Sequence, residues 1–218
     1  MVTRRIVVGK VLACLVLFGL ALWGRPASAL DAATAEGVVK SAIADSISAF
    51  VGGPFTQDEV RAKITMMVEK YADVPYESEQ LLGRHWRKAS PAQQKAFTDL
   101  LVPFFVATYG GMIDGAKSAP KIEFVGTEAR GEAILVHTNV KPQGEEPVPI
   151  DWLILISPAG KLVVGDLIAE DIGLVTTMKA DFTSVIRSGG GDIEALFTAM
   201  RKKIQGAESA GKGKPAGG

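Results

Sequence analysis

The hydrophobic period of this chain switches from 3.6 to 2 near residue 120 and returns to 3.6 near residue 174. Helices, then a block of strands, then helices again define an α+β domain with helices packed on a sheet. Apolar residues at helical spacing (Val38, Val39, Ala42, Ile43, Ile47, Phe50) predict a first helix over 31–51, stopped by Gly52-Gly53-Pro54. Thr56 with Glu59 reads as a capping box opening a second helix to about residue 71. After a break before Pro75, a short helix is expected over 75–83. Ser90, Pro91 and Gln93 then combine an N-cap, a proline at the first helical position and a box-closing glutamine, starting a helix to about residue 114. Period-2 segments at 121–129, 132–141, 148–157 and 161–168 predict four strands. Their short connections imply an antiparallel four-stranded meander. Two helices follow, over 174–187 and 193–204, the second capped by Asp192.

The ends carry different signals. Arg4, Arg5 and Lys10 precede an apolar run over 11–23, a break at Gly24-Arg25-Pro26, and Ala27-Ser28-Ala29. A basic start, a short apolar middle and small residues before the cut are the pattern of a secretory signal peptide. Thirteen residues at ~1.5 Å rise cover roughly 20 Å, short of a ~30 Å hydrocarbon core, which argues against an anchor. Residues 1–29 are therefore expected to be cleaved, leaving one domain over 30–205 outside the cytoplasm. The sole cysteine, Cys14, lies inside that signal, so the mature chain would have no thiol or disulfide chemistry. Cleavage removes four of the 24 basic residues (Arg4, Arg5, Lys10, Arg25) and none of the 24 acidic ones, leaving a net charge of about −4. A mildly acidic chain without a basic patch is a poor partner for nucleic acid. Residues 206–218 have no large apolar side chain and are expected to form a disordered tail.

The helix expected after Ser90 carries unusually much apolar surface. Phe97, Leu100, Leu101, Val102, Phe104, Phe105, Val106 and Tyr109 wrap most of its circumference, and Pro103 interrupts its hydrogen bonding. A kinked central core helix accounts for this pattern; so does a helix bent to open space beside it. The strands supply a second apolar surface: Ile134, Val136, Thr138 and Val140 share one face, and Val148, Ile150, Trp152, Ile154 and Ile156 share another.

Catalytic chemistry has little to stand on. His85 and His137, the only histidines, have no metal-ligand spacing to other donors. No G-x-S-x-G, phosphate loop or H-E-x-x-H is present. Asp166, Glu170 and Asp171 form an acidic cluster after the last expected strand, where surface carboxylates are common. The chain reads as a non-enzyme that needs no cofactor. On the residues alone two classes stand open: a protein-interaction module that packs its apolar residues into an ordinary core, and a hydrolase built on the Asp166–Asp171 carboxylates.

Several segments, in this order and spacing, resemble the MlaC (toluene-tolerance) family of periplasmic phospholipid-binding proteins. They are Leu82-Gly83-Arg84-His85-Trp86-Arg87, then Ser90-Pro91-Ala92-Gln93-Gln94, Thr108-Tyr109, Pro149-Ile150-Asp151-Trp152, the stretch 166–174, and Gly189 with Asp192 and Leu196. The resemblance covers roughly residues 38–204. Asp171 and Gly173 replace a glycine and a serine of the family pattern, and Met178-Lys179 a tyrosine–arginine pair. These departures suggest a divergent branch of the family; the hopanoid-associated HpnM-like relatives are one such branch, and resemblance to them would imply a polycyclic lipid as the alternative cargo to phospholipid.

The resemblance implies a lipid cavity between sheet and helices, and shuttling between an inner-membrane ABC lipid-transport complex and an outer-membrane lipoprotein complex. Water-exposed lipid tails cost ~0.8 kcal/mol per methylene, so an unshielded diacyl lipid would forfeit roughly 20 kcal/mol in transit. The lining this implies comprises Phe97, Leu101, Phe104, Phe105 and Tyr109 from the long helix. Ile134, Val136, Ile150, Trp152 and Ile154 come from the strands, and Leu174 from the helix after them. Intact mass of the exported protein should correspond to a chain starting at Leu30; a mass that includes residues 1–29 would overturn the cleavage reading.

Overall fold

The computed structural model describes residues 30–112 and 118–212. The expected signal peptide, residues 1–29, lies outside them. Asp31 caps α1 (Ala32–Phe50), its carboxylate accepting from the Thr34 amide at 2.7 Å. The Thr56–Glu59 capping box opens α2 (Gln57–Tyr71), and Asp73 caps α3 (Val74–Leu82), where proline occupies the first turn. A 3₁₀ segment (Gly83–Lys88) leads to the second capping box, Ser90 with Gln93, which starts α4 (Pro91–Tyr109). Helix α4 continues through Pro103, which lies on its exposed side, so the carbonyl left without an amide partner is accessible to water. It ends at Tyr109 in a short 3₁₀ turn, Gly110–Met112; the rest of the expected span, to 114, lies outside the described residues.

The strands β1 (Lys121–Arg130), β2 (Ala133–Lys141), β3 (Val148–Ile156) and β4 (Leu162–Ala169) form the expected antiparallel meander. A fifth, β5 (Ile172–Gly173), adds an edge of two residues, too short to leave a periodic signal. It exists because Glu170 and Asp171 both take left-handed backbone angles (φ 49° and 64°), turning the chain back on β4. Helices α5 (Leu174–Ser188) and α6 (Ile193–Lys212) complete the chain. Helix α6 passes the expected boundary at residue 205, so residues 206–212 are helical where a disordered tail was expected. Extending a nucleated helix adds one hydrogen bond per residue and needs no large apolar side chain. An Arg61–Glu208 ion pair (3.4 Å) also ties this extension to α2. Residues 213–218 lie outside the described part.

Two hydrophobic cores form instead of one. The helical core is built from Leu81, Leu82, Phe97, Leu101, Met178, Phe182, Ile186, Leu196, Phe197 and Met200. Phe97 sits at its centre, fully buried, with its ring 5.6 Å from Phe182 in an edge-to-face contact and 6.4 Å from Phe197. The second core joins α1 to the sheet. Small residues at helical spacing, Ala35, Val39 and Ala42, let α1 approach closely over Ile134, Val136 and Ile154. No helix among the described residues is long and apolar enough to cross a membrane. Phe97→Ala should lower unfolding stability by ~3–5 kcal/mol in a denaturant titration, since a close-packed interior cannot collapse around the hole. A loss below ~1 kcal/mol would mean that Phe97 fronts open space.

Candidate functional site

Between the two cores lies a cavity of ≈ 370 Å³. Helices α1 to α5 form one wall, and Trp152 of β3 with Val164, Gly165 and Leu167 of β4 the other. Apolar side chains make most of it: Phe50 from α1, Ile64 and Met67 from α2, Leu81 from α3, Phe105 from α4, Met178 from α5.

Trp152 is held by a relay that begins on the neighbouring strand. In the sheet register Trp152 stands between Val136 and Leu167, and Thr138 opposes Ile150. The buried Thr138 hydroxyl donates to the Ile150 carbonyl at 2.8 Å and accepts the Trp152 indole N–H at 3.0 Å. The indole nitrogen is thus satisfied inside the sheet, and the ring is free to serve as apolar wall. On the helical side, Phe105 stacks at 4.8 Å on Tyr109, one turn further along α4.

Of the residues expected to line the cavity, the structure brings Leu101, Phe105, Trp152 and Leu174 together on its wall. Phe97, Phe104 and Tyr109 belong to the helical core; Phe104 meets Phe182 at 5.5 Å. Ile134, Val136 and Ile154 are covered by α1, and Ile150 pairs with Thr138 and Ala169 away from the lining. One strand face therefore serves two purposes: α1 covers one end, and the other faces the cavity. Strand periodicity assigns a residue to a face and says nothing about which end of that face a helix will cover.

Two carboxyl groups reach this wall, and only one was singled out from the sequence. Asp166 was expected at the surface beside Glu170 and Asp171. It is half-buried instead, accepting from the amides of Leu167 (2.8 Å) and Val175 (3.0 Å), while Glu170 and Asp171 remain exposed in the turn. Burial raises the Asp166 pKa above the ordinary carboxylate value, against the pull of those amides. Glu77 was missed. It stands on the inner stripe of α3 with Val74 and Leu81, and a carboxylate at a core-facing helical position is the signal that would have found it. Its Oε1 is buried and has no hydrogen-bond partner. Burial, reinforced by the nearby Asp166 and Asp73 carboxylates, pushes its pKa up to about 8, so it is protonated at neutral pH. His137, which showed no metal-ligand spacing in the sequence, is half-buried with Nδ1 2.8 Å from Asp151 on β3.

A family model described as "MlaC protein" matches residues 41–202. The chain belongs to the MlaC family. Among solved structures it is similar to the phospholipid-binding protein from Ralstonia solanacearum, determined in complex with a phospholipid. The two are 24% identical with a TM-score of 0.64, over 80% of this chain and 98% of that one. The likeness shows a shared fold over that 80% of this chain.

The raised Glu77 pKa has a definite sign in a stability measurement. Between its ordinary value of 4.5 and about 8, the folded protein holds a proton that the unfolded chain has released. Stability contributed by this group is therefore complete below about pH 4.5 and falls as pH rises towards 8. The thermal midpoint of the ligand-free protein should decline over that window, and Glu77→Gln should flatten the decline. Parallel curves for the two proteins would show that Glu77 titrates normally.

Proposed function

We propose that this chain is a periplasmic lipid carrier, a binding protein and not an enzyme. It takes acyl chains into the cavity between sheet and helices and ferries phospholipid, or a hopanoid-like lipid, between an inner-membrane ABC lipid-transport complex and an outer-membrane lipoprotein complex. The observation that carries the reading is an apolar cavity left open between two cores, walled by members of both such as Leu81, Leu101 and Trp152. Membership of the MlaC family supports it, as does the likeness to a protein solved with phospholipid. The secretory pattern of residues 1–29 supports an extracytoplasmic location.

The dimensions suit a partly inserted chain. At about 30 Å³ per water-sized group, ≈ 370 Å³ accommodates on the order of a dozen methylenes. Shielding a dozen methylenes from water is worth about 10 kcal/mol, enough to hold a lipid in solution yet recoverable at a membrane. Met67 and Met178, both in the wall, have flexible side chains that adapt to chains of different length.

Organic extraction of the purified protein followed by mass spectrometry should release close to one lipid per chain. Phe105→Ala and Trp152→Ala should lower lipid per protein more than they lower the denaturation midpoint of delipidated protein. Ala42→Phe should exclude cargo by filling the cavity from the α1 side. A clean extract from wild-type protein would favour an interaction module without lipid cargo.

A further inference from the structure

Most polar side chains on the cavity wall hydrogen-bond within the protein. Ser46 donates to the Ala42 carbonyl at 2.7 Å, Tyr71 to Asp45 at 2.6 Å and Trp152 to Thr138 at 3.0 Å; Asp166 holds two backbone amides. Glu77 has a buried carboxyl oxygen with no partner and stands on a wall otherwise made of side chains such as Leu81, Leu101, Phe105 and Met178. An unmet polar atom at such a place is unfavourable, and a partner arriving with the ligand would remove that cost.

The chemistry of that partner follows from the charges around it. Asp166, from β4, and Asp73, at the start of α3, face Glu77 as carboxylates. The lining from α4 and α5 is apolar, and α1 and α2 contribute only the committed Ser46 and Tyr71. An anionic oxygen, from a phosphate or an ionised fatty acid, would meet like charge here. A neutral acceptor meets a carboxylic O–H, which is one donor held in a dry site. The neutral acceptor of an acyl lipid is the ester carbonyl at the head of its chain.

We propose that Glu77 reads the cargo: its carboxyl donates a hydrogen bond to the ester carbonyl of a chain inserted in the cavity, so that the protein selects ester-linked over ether-linked lipid. This deepens the carrier reading and rests on it. With a pKa of about 8 the donor is present at neutral pH and lost as pH rises past that value.

Delipidated full-length protein would be offered vesicles of dioleoyl phosphatidylcholine or of its diether analogue, which has the same head group and chains but no carbonyl. Lipid retained per protein is then measured. Wild-type protein should favour the diester about five- to tenfold at pH 7, the worth of one buried hydrogen bond, with the preference fading above about pH 8. Glu77→Gln keeps a donor of the same shape and should keep the preference at every pH. Glu77→Leu, which replaces an unmatched polar group by an apolar one of similar bulk and should fold at least as well, should take up both lipids equally. Equal uptake by wild-type protein, or undiminished discrimination by Glu77→Leu, overturns the assignment while leaving the carrier reading intact. Failure of wild-type protein to take up either lipid overturns the phospholipid form of the carrier reading and this inference with it.

Discussion

The space between sheet and helices persists because each layer closes its own core before they meet, and polar links at the edges set their separation. Ser157, at the end of β3, donates to the Asp73 carboxylate that caps α3. The Lys161 ammonium donates to the carbonyls of Glu69 and Ala72, both at 2.6 Å, and so satisfies the open end of α2 from the β3–β4 connection. Asp166 binds β4 to the first turn of α5 through the Val175 amide. Moving the layers together to fill the gap would break these bonds. An ordinary core gains dispersion contacts by collapsing around a hole, whereas this frame holds the gap open and leaves it to a ligand.

The polar groups in the wall divide the work. Thr138 binds the Trp152 indole N–H within the sheet, so the largest ring on that side presents only carbon to the cavity. Asp166 is occupied by the start of α5, which makes a charge near the cavity a structural feature of the frame. Glu77 has neither arrangement, and burial, reinforced by the Asp166 and Asp73 side chains, makes its neutral form the stable one. A largely apolar wall thereby holds one carboxyl group with a buried oxygen that the protein itself does not pair. Positions of this kind are where ligand pockets gain discrimination, since apolar contact alone separates similar chains poorly.

Sequence and structure agree wherever a local rule decides. The capping boxes at Thr56–Glu59 and Ser90–Gln93 begin helices at those residues, and the period-2 segments became the strands of a meander in chain order. These features involve residues a few positions apart, so their energetics are written in the local order of side chains. The extension of α6 to Lys212 exceeded expectation because helix propagation depends on what precedes a residue, and composition counts only the residue itself.

Four of the eleven expected lining residues, Leu101, Phe105, Trp152 and Leu174, reach the cavity, and the reason is geometric. An apolar side chain at a periodic position must leave water, and the sequence by itself determined that much for Phe97 as for Phe105. Whether it meets protein or open space depends on where a second element, distant in the chain, happens to lie. Helix α1 covers Val136 and Ile154 because its small residues permit close approach, while Trp152 on the same face lies at the cavity edge. Glu77 carries the same lesson for charge. Its place on the inner stripe of α3 is legible one helix at a time. Its stabilised proton comes first from burial between elements distant in the chain, and then from Asp166, some ninety residues away, and Asp73. Burial is a property of a residue and its helix or strand, but an unfilled space is a property of the distance between elements, which only the tertiary structure decided.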